Sequence, residues 1–579
     1  MALGLAYQIA RNRSSKRAQL EQLRAMLWTD RSSFDAHWRD LGDFLLPRRT
    51  RFWAGDRNRG DKRNQNIIDS TATFATRTLA SGLHAGLTSP ARPWFKLTTP
   101  DPDLAEFKPV QEWLETVTQR MQVVFTSSNL YNCLPVVYGD MGVFGTAAMS
   151  VMPDTKTLLR CTAHPIGSYA IALDARGLAT VFCREYELTV LQLVQEFGTT
   201  RGSRDIDWTH ISTSVRALWD NAQYTQPVRL VWIVQPNPDA DPARLAARFL
   251  PWESCHFELT EAAGGKLLRE SGYHTFPFMC PRWDITGEDA YGTSCPGMIA
   301  LGDVKQLQLM QRRKGQAISK MVDPPLVGLP ELKTQKTSLL PGDITYVTQP
   351  QHGLKAIHEV GLNLQHLTLD IREVRNQVQR AFYEDLFLMM AREQTGGSPI
   401  TAEEVRERQS EKLLALGPVL ERTNDELLNP LVDRTYEMMD RAGLIPPAPA
   451  QLHGVALKVE YISVMAQAQK LVGVSGQDRF MQSTVALAEQ FPEAKNKINV
   501  KRVIDNYGTM LGVDPRIIRT DDEADVITQQ QAKAQQDAAN ADSALKMATA
   551  ARQASQAQMG KDSALDRVVS GALPTGQVA

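Results

Sequence analysis

The chain has 579 residues, enough for several structural units, because one hydrophobic core seldom serves more than about 250–300 residues. Hydrophobic residues make up 43% and charged residues 22%, a balance typical of a soluble globular protein. Lysine and arginine (64) nearly equal aspartate and glutamate (65), and the net charge of -1 excludes a protein that is basic all over, as an open nucleic-acid-binding surface would be.

Compartment signals predict a soluble, cytoplasmic protein of several parts. The six cysteines contain no C-x-x-C pair and are widely spaced, which favours reduced thiols over a disulfide framework. The N-terminus has its basic residues after a short apolar run, the reverse of a secretory signal, and no run reaches the roughly 18 apolar residues of a membrane helix.

The first elements are helical. Leu20, Leu23 and Leu27 recur at helical spacing, so residues 14–46 are predicted to form one or two amphipathic helices. The segment 47–66, "PRRTRFWAGDRNRGDKRNQN", is basic with little apolar periodicity and is predicted to be a loop. Two interpretations stay open for it, a solvated surface arm or a contact with phosphates or an acidic neighbour.

The stretch 67–97, "IIDSTATFATRTLASGLHAGLTSPARPWFKL", is interpreted as a packing device. Asp69 or Ser70 can cap a helix whose many small residues would let a neighbouring element come close. Two prolines then stop the helix and hold Trp94 and Phe95 extended, as a structural anchor where a strand begins near residue 96. Two further helices are predicted over 109–126 and 129–150.

Residues from about 145 to 295 have the composition typical of β-strands. Runs such as "ATVFCREYEL" and "VRLVWIVQP" are rich in β-branched and aromatic residues and are bounded by turn formers. "DARG" at 174–177 is a plausible hairpin turn, and a helix is expected around 188–197. We predict a mostly antiparallel sheet and, for the whole chain, an α+β fold that is predominantly helical.

The sequence is helical again after 295. One long helix is predicted over 296–322, ended by Asp323 and two prolines, and a turn-rich segment with small strands such as "ITYV" (344–347) follows. A second long helix over 362–391 has a narrow apolar seam. The seam consists of Leu364, Leu367, Ile371, Val374, Val378 and Ala381.

The C-terminal third contains three further predictions. Thr401 and Glu404 form a capping box that opens a helix to about 440, bent near Gly417 and Pro418. "LIPPAPAQL" marks a boundary before a smaller helical region that extends to about 520. The Ala- and Gln-rich tail 527–559 could be a marginal helix, disordered, or one strut of a helical barrel in a symmetric assembly.

No enzyme signature is present in the sequence. Gly264-Gly265-Lys266 is followed by Leu267, where a Walker A motif needs Ser or Thr, and the ten histidines show no ligand spacing. His164 is interpreted as a packed core histidine, and the acidic run at 521–523 as a solvated helix end. No catalytic residue, cofactor or metal site is predicted.

Four segments in one order resemble the portal, or head-to-tail connector, proteins of T7-like short-tailed bacteriophages. They are "FLLP" (44–47), the 67–97 stretch, "EDAYGTSCPGMIALGDVKQLQ" (288–308) and "TGGSPITAEEVRER" (395–408). The resemblance covers roughly residues 15–450. It implies a ring, in this family usually of twelve subunits, at one vertex of the capsid, so the expected location is the virion, with the host cytoplasm during assembly. Double-stranded viral DNA would pass through its channel, with no membrane involved. Terminase, then a tail adaptor protein, and the major capsid and scaffolding proteins would be its partners.

The resemblance also implies a division of the chain. Residues 1–295 and 401–449 would be the wing, 296–322 and 361–391 the stem helices, 323–360 the clip, 392–400 the tunnel loop and 450–526 the crown, before the 527–579 tail. The tunnel loop would line the DNA channel with Gln394, Thr395, Gly396, Gly397 and Ser398. The clip would offer partners Lys333, Lys336, Asp343 and Tyr346.

Basic residues on the first stem helix admit two interpretations. Arg312, Arg313, Lys314 and Lys320 could line the channel and touch the DNA backbone, or they could form ion pairs between subunits. A near-neutral chain suits a conduit, because each phosphate contact adds affinity and a strongly basic bore would hold DNA that must slide.

Three other classes of protein compete with this interpretation. A capsid or tail-adaptor protein would lack the paired long helices, and a packaging enzyme such as a terminase subunit would need the missing Walker A loop. A bacterial helical scaffold unrelated to phage would be favoured by a monomer in solution.

Overall fold

The computed structural model describes residues 15–322 with short gaps (57–59, 102–103, 106, 200–204, 260–265), then 326–327, 330, 355–356, 364–393, 416–463 except 453, isolated positions 465, 483–484, 500 and 503, and 521–556. The chain divides into two compact units, residues 1–472 and 473–579. Across these described stretches, no helix is long and apolar enough to cross a membrane.

Four helices and one short strand form the N-terminal part. They are α1 (Lys16–Phe44), α2 (Thr71–Leu87), β1 (Phe95–Thr98), α3 (Lys108–Ser127) and α4 (Leu130–Phe144). The Ser15 hydroxyl caps α1 by accepting a hydrogen bond from the Ala18 amide. Segment 47–66 consists of turns and loop where it is described, as predicted.

The prediction of a helix through residue 150 is wrong. Helix α4 ends at Phe144 because Gly145 adopts a left-handed conformation, with φ of 76°. An added Cβ there would lie 2.4 Å from the Gly292 carbonyl oxygen, so the chain needs glycine at this crossing. Strand β2 (Ala148–Asp154) follows at once.

The middle of the chain is built on antiparallel strands, as predicted. After β2 come β3 (Leu158–His164), β4 (Tyr169–Leu173), β5 (Ala179–Thr189), α5 (Val190–Leu193), α6 (Thr213–Asp220), β6 (Pro227–Pro236), β7 (Trp252–Glu258), β8 (Arg269–Tyr273) and β9 (Phe278–Met279). One sheet has the order β4-β5-β6-β7-β8 and a second has the order β3-β2-β9. Residues 174–177 form the β4–β5 hairpin turn, and Gly177 has the positive φ that such a turn requires.

Helix α1 lies on the five-stranded sheet. Leu20 and Leu27 are buried against Cys183, Ile233 and Phe257. The expected helix near 188–197 is α5 followed by a π-helical turn at Val194–Gly198. Helix α6 and this turn bury a small apolar cluster of their own.

Two long helices follow the sheets. Helix α7 (Pro296–Val322) has the predicted bounds, and β10 (Leu326–Val327) pairs with β11 (Lys355–Ala356) between it and α8 (Leu364–Ala381). The prediction of one helix over 362–391 is wrong, because the chain breaks at Tyr383, which has a φ of 54°, and continues as α9 (Glu384–Glu393). Phe382 just before the break and Leu386 and Phe387 after it are all buried.

Helices and one strand complete the first unit. Helix α10 covers residues 416–423, a π-helical turn covers Asn424–Leu428, α11 is Asn429–Arg441, and β12 (Lys458–Tyr461) pairs antiparallel with β1. Gly417 and Pro418 lie in regular helix, so the irregular turn falls several residues after the predicted bend. The capping box at Thr401 lies outside the described residues.

The second unit is described mainly through α12 (Asp521–Gln556). Its described side chains are almost all exposed, as expected of an Ala- and Gln-rich helix without an apolar stripe. Of the alternatives for the tail, the helical one is therefore realised over these residues.

Candidate functional site

The candidate site is the hairpin of α7 and α8, where the described channel residues of the sequence prediction lie. Arg312, Arg313 and Lys320 are exposed on α7, and Lys314 is half-buried. The predicted tunnel-loop residues 394–398 and the clip residues Lys333, Lys336, Asp343 and Tyr346 lie outside the described residues, so their roles stay predictions.

An apolar seam holds the hairpin together. Leu307 of α7 and Ile371 and Val374 of α8 are buried in one cluster, with Met310 and Leu367 packed against it. Val378 of α8 is also fully buried, in the main core. The 3–4 spacing read from the sequence therefore does place one face of α8 against a neighbour.

Outside this seam, both helices have exposed outer faces. On α7 the residues about half a turn away from the buried stripe are Ile299, Gly302, Gln306, Leu309, Arg313, Gln316 and Lys320. On α8 the corresponding residues are Leu369, Glu373, Asn376 and Arg380. Since each helix buries the face that points at the other, the two outer faces point away from the hairpin in opposite directions.

A network of hydrogen bonds among Asp69, Gln308, Gln311 and Arg375, here called the polar joint, connects the hairpin to the start of α2. The Gln308 side-chain oxygen accepts hydrogen bonds from the Ile68 and Asp69 amides, both at 2.7 Å, and its nitrogen donates to the Asp69 carbonyl at 2.9 Å. The Asp69 carboxylate in turn accepts from Gln311 at 2.9 Å and from two nitrogens of Arg375 at 2.7 and 3.0 Å. One buried aspartate thus connects three helices.

The charge of Asp69 is stabilised in this joint. Burial by itself would raise the pKa of the carboxyl group, but hydrogen bonds from the Thr71 amide and hydroxyl and the ion pair with Arg375 outweigh it. The pKa of Asp69 is therefore lowered from its usual 3.8, and the group is ionised at neutral pH.

Sequence reasoning named Asp69 only as a possible helix cap. It does bond the Thr71 amide, at 2.9 Å, but it also binds Gln311 and Arg375, which lie far along the chain. A sequence signal was available, because Gln308 and Gln311 continue the stripe of Val304 and Leu307, where apolar residues would be expected.

The small residues of α2 allow the close approach that was predicted. An added Cβ at Gly82 would lie 2.1 Å from the ring of Phe387 in α9, so this ring packs directly on the α2 backbone. On the other side, Gly142 of α4 faces Leu79, where a Cβ would lie 2.4 Å away. Helix α2 is the element on which α4 and the end of the hairpin both pack.

Trp94 and Phe95 are buried where α2 gives way to β1. The Trp94 indole donates a hydrogen bond to the Tyr131 hydroxyl at 3.2 Å and its ring lies 5.9 Å from that of Phe125 and 6.5 Å from that of Tyr461. The position fits an anchor, and the energetic size of that role stays a prediction.

Buried charges elsewhere link elements of the fold. Arg282 donates to Glu426 at 2.6 Å, with both side chains buried, and so ties the sheet region to the π-helical turn before α11. His164 is fully buried with its pKa well below normal through burial, as expected of a core histidine. Within the described parts of the chain, no group of three or more His, Cys, Asp or Glu could hold a metal ion.

Comparisons with known proteins identify a family to which this sequence is similar. The profile of the family described as "Bacteriophage head to tail connecting protein" matches residues 17–518, further along the chain than the resemblance in the sequence reached. The portal protein of Salmonella phage epsilon15 is 43% identical over 564 residues, which are 96% of this chain and 99% of that protein. A probable portal protein of Bordetella phage BPP-1 is 43% identical over 518 residues, 89% of this chain and 91% of that protein. The chain therefore belongs to the family of bacteriophage head-to-tail connecting proteins.

Proposed function

We propose that this chain is a structural portal protein, copies of which close into a ring, of twelve subunits, at one vertex of a phage capsid. Double-stranded DNA passes through the ring during packaging and ejection. Terminase docks on it first and the tail adaptor later, while the major capsid and scaffolding proteins hold its rim. The carrying observation is the 43% identity to a portal protein over 96% of this chain.

The hairpin geometry supports a ring. A face on one side of a subunit that binds a different face on the opposite side of the next subunit gives a heterologous contact, and such contacts close into rings when the rotation fits. The α7–α8 hairpin has two such outer faces. A single self-complementary face would instead favour a twofold dimer.

The division of the chain follows from the same proposal. The N-terminal helices, the sheets and α10–α11 form the wing, α7 and α8 form the stem, 323–360 form the clip and 392–400 form the tunnel loop at the channel. Residues 450–526 form the crown, and α12 continues into the tail. The near-neutral chain lets DNA slide, since each phosphate contact would add affinity.

The first experiment is the mass and symmetry of the purified protein. Light scattering should give about twelve times 64.5 kDa, and electron-microscope class averages should show rings with a central hole. A stable, small, closed dimer would refute the proposal.

A second experiment tests the tunnel loop. Deletion of residues 394–398 should leave ring assembly intact and reduce DNA retention or packaging. A matched deletion of residues 238–242, an exposed turn between β6 and β7, should affect neither. Normal genome packaging by the loop-deletion variant would contradict a role of these residues in the channel.

A further inference from the structure

We propose that Arg184 and Arg51 bind a phosphate group at the edge of the five-stranded sheet, in a site separate from the α7–α8 hairpin. Arg184 lies on β5, and Arg51 lies in the loop that follows α1. The ligand is an oxyanion with the size and charge of inorganic phosphate. The site does not depend on the proposed ring, because every group that forms it belongs to one chain.

Arg184 lies where two apolar clusters meet. Side chains alternate along a strand, so Arg184 shares a face of β5 with Phe182 and Tyr186, while Cys183 between them packs towards α1. Phe182 belongs to the main core, and Tyr186 also packs against the small cluster of α5 and α6. Arg184 stands between these two side chains and is itself half-buried.

The Arg184 guanidinium forms no hydrogen bond and no ion pair with any group in the described part of the chain. Its Nε atom is buried without a partner, and its guanidinium carbon lies 5.4 Å from the centre of the Tyr186 ring. Other buried arginines do have oxygen acceptors. Arg31 donates to two backbone carbonyl groups, and Arg282 pairs with Glu426 at 2.6 Å. Arg184 therefore departs from the way this fold treats its buried cations.

The loop that carries Arg51 is held beside Arg184 through one short segment. The Arg51 amide donates to the Ile166 carbonyl at 2.9 Å, and an added Cβ at Gly167 would lie 2.8 Å from the Arg51 carbonyl oxygen. The amide of the residue after Arg184 donates to the Ser168 carbonyl at 3.1 Å. Three consecutive residues thus contact both the loop and β5 next to Arg184.

The two arginines also affect each other electrostatically. Burial, together with the nearby charge of Arg51, lowers the pKa of Arg184 to about 10, so the side chain is still charged at neutral pH. The carboxylates of Glu185 and Glu187 lie on the opposite face of β5. They pair with arginines of α1 and β6, at 2.5 and 3.6 Å. The charge of Arg184 is therefore left without a counter-ion from its own strand.

An oxyanion supplies what Arg184 lacks. A guanidinium presents its N–H donors in a planar fork that matches two oxygens of a phosphate. A water molecule can accept one of these hydrogen bonds, but it leaves the charge uncompensated.

His164 adds a second unpartnered group to this region. Its Nδ1 atom is fully buried without a partner in the described chain, while Nε2 lies 3.0 Å from the Ser150 hydroxyl. Burial and the charge of Arg184 both lower the pKa of His164, so the two side chains are within electrostatic range of each other. A neutral imidazole can donate a hydrogen bond to an anion without adding charge.

Equilibrium dialysis with radiolabelled inorganic phosphate tests the site directly. The unmodified protein should bind one phosphate per chain, and Arg184→Met should lose this binding. Arg184→Lys keeps the charge but not the fork, so it should bind about tenfold more weakly. Arg216→Met is the matched control, because Arg216 lies on α6 with a side chain that is 59% exposed, and this variant should bind like the unmodified protein.

Denaturant titrations distinguish a binding role from a purely structural one. Without phosphate, Arg184→Met should be at least as stable as the unmodified protein, because it removes a charge that has no counter-ion. With phosphate at about ten times its Kd, the unfolding equilibrium constant of the unmodified protein should fall about elevenfold, and that of Arg184→Met should not change. Potassium chloride at the same ionic strength controls for general salt effects.

Each outcome decides the inference. Loss of phosphate binding and of the stabilisation in Arg184→Met, with both retained in Arg216→Met, would support it. A short DNA duplex that displaces the labelled phosphate would assign the site to the DNA backbone, whereas no displacement would assign it to free phosphate. Equal binding by Arg184→Met, or no binding by the unmodified protein, would overturn the inference. A variant that is destabilised equally with and without phosphate would give Arg184 a structural role only.

Discussion

Replacing Asp69 with asparagine should loosen the joint between the hairpin and α2. The carboxylate accepts five hydrogen bonds, two from Thr71, one from Gln311 and two from Arg375. Asparagine keeps one oxygen for Thr71 but places an NH₂ group opposite the Gln311 and Arg375 donors. The variant therefore loses three of the five bonds and opposes donors with a donor.

The expected cost is about 2–4 kcal/mol in the free energy of unfolding. A hydrogen bond to a charged group contributes about 1.5–3 kcal/mol. The two bonds from Arg375 count for less than that, because this side chain is 42% exposed and water screens the pair. The bond from the Gln311 amide and the donor–donor contact account for most of the cost.

The assay is a double-mutant cycle of Asp69→Asn and Arg375→Met in denaturant titrations, with hydrogen exchange measured over residues 68–71 and 305–311. We expect a coupling energy of about 1 kcal/mol or more and faster exchange in both segments. Asp40→Asn is the matched control, because Asp40 also pairs with α7, through Lys305, but at an exposed site worth about 0–1 kcal/mol. A coupling energy below about 0.3 kcal/mol, together with unchanged hydrogen exchange, would refute the claim that Asp69 and Arg375 hold the hairpin against α2.

Three other changes have definite expected results. Trp94→Ala should cost about 3–5 kcal/mol in a denaturant titration, because a large buried ring is removed. Gly82→Ala should cost about 1–3 kcal/mol and increase hydrogen exchange in α9, because the new methyl group collides with the Phe387 ring. Burial, assisted by the charge of Arg269, lowers the pKa of His256 from 6.5 to about 3, so the fold keeps it neutral and loses stability as pH falls from 6.5 towards 3. His256→Phe should therefore flatten the fall in melting temperature between pH 7 and pH 4.

Each of these changes has a control of the same kind. Trp53→Ala removes an exposed indole, Gly315→Ala adds a methyl group that meets nothing within 4 Å, and His37→Gln alters an exposed histidine. Equal melting curves for the Trp94 and Trp53 variants would contradict the anchor role of Trp94. A stabilised Gly82 variant would show that the Phe387 ring moves aside to make room for the methyl group. An unchanged pH dependence after His256→Phe would assign the acid sensitivity to other groups.

Much of the fold could be predicted from local patterns. The bounds of α7 follow from a proline start and a proline stop, and the apolar seam of α8 follows from its 3–4 spacing. The strand texture of 145–295 comes from β-branched residues between turn formers, and the small residues of α2 indicate close packing before any partner is known. The family follows from the order of four segments, while its T7-like subgroup stays a prediction.

The errors arose where distant parts of the chain decide the local conformation. Helix α4 stops at Gly145 because the chain there crosses Gly292, about 150 positions later in the sequence. The left-handed Tyr383 comes just before α9, whose Phe387 is buried against Gly82 of α2, about 300 positions earlier. Neither cause is visible within the segment itself, since helix propensity is a weak term that packing routinely overrides.

The sequence by itself determined the helices of the hairpin and the antiparallel sheets, because periodicity and turn chemistry act over short distances along the chain. The resemblance of four segments in one order identified the family. Only the tertiary structure decided which polar residues meet. Asp69 lies more than 230 positions from Gln308 and more than 300 from Arg375, and no local pattern pairs them. The fold brings these groups together because burying the Asp69 carboxylate is tolerable only where donors from three helices converge on it.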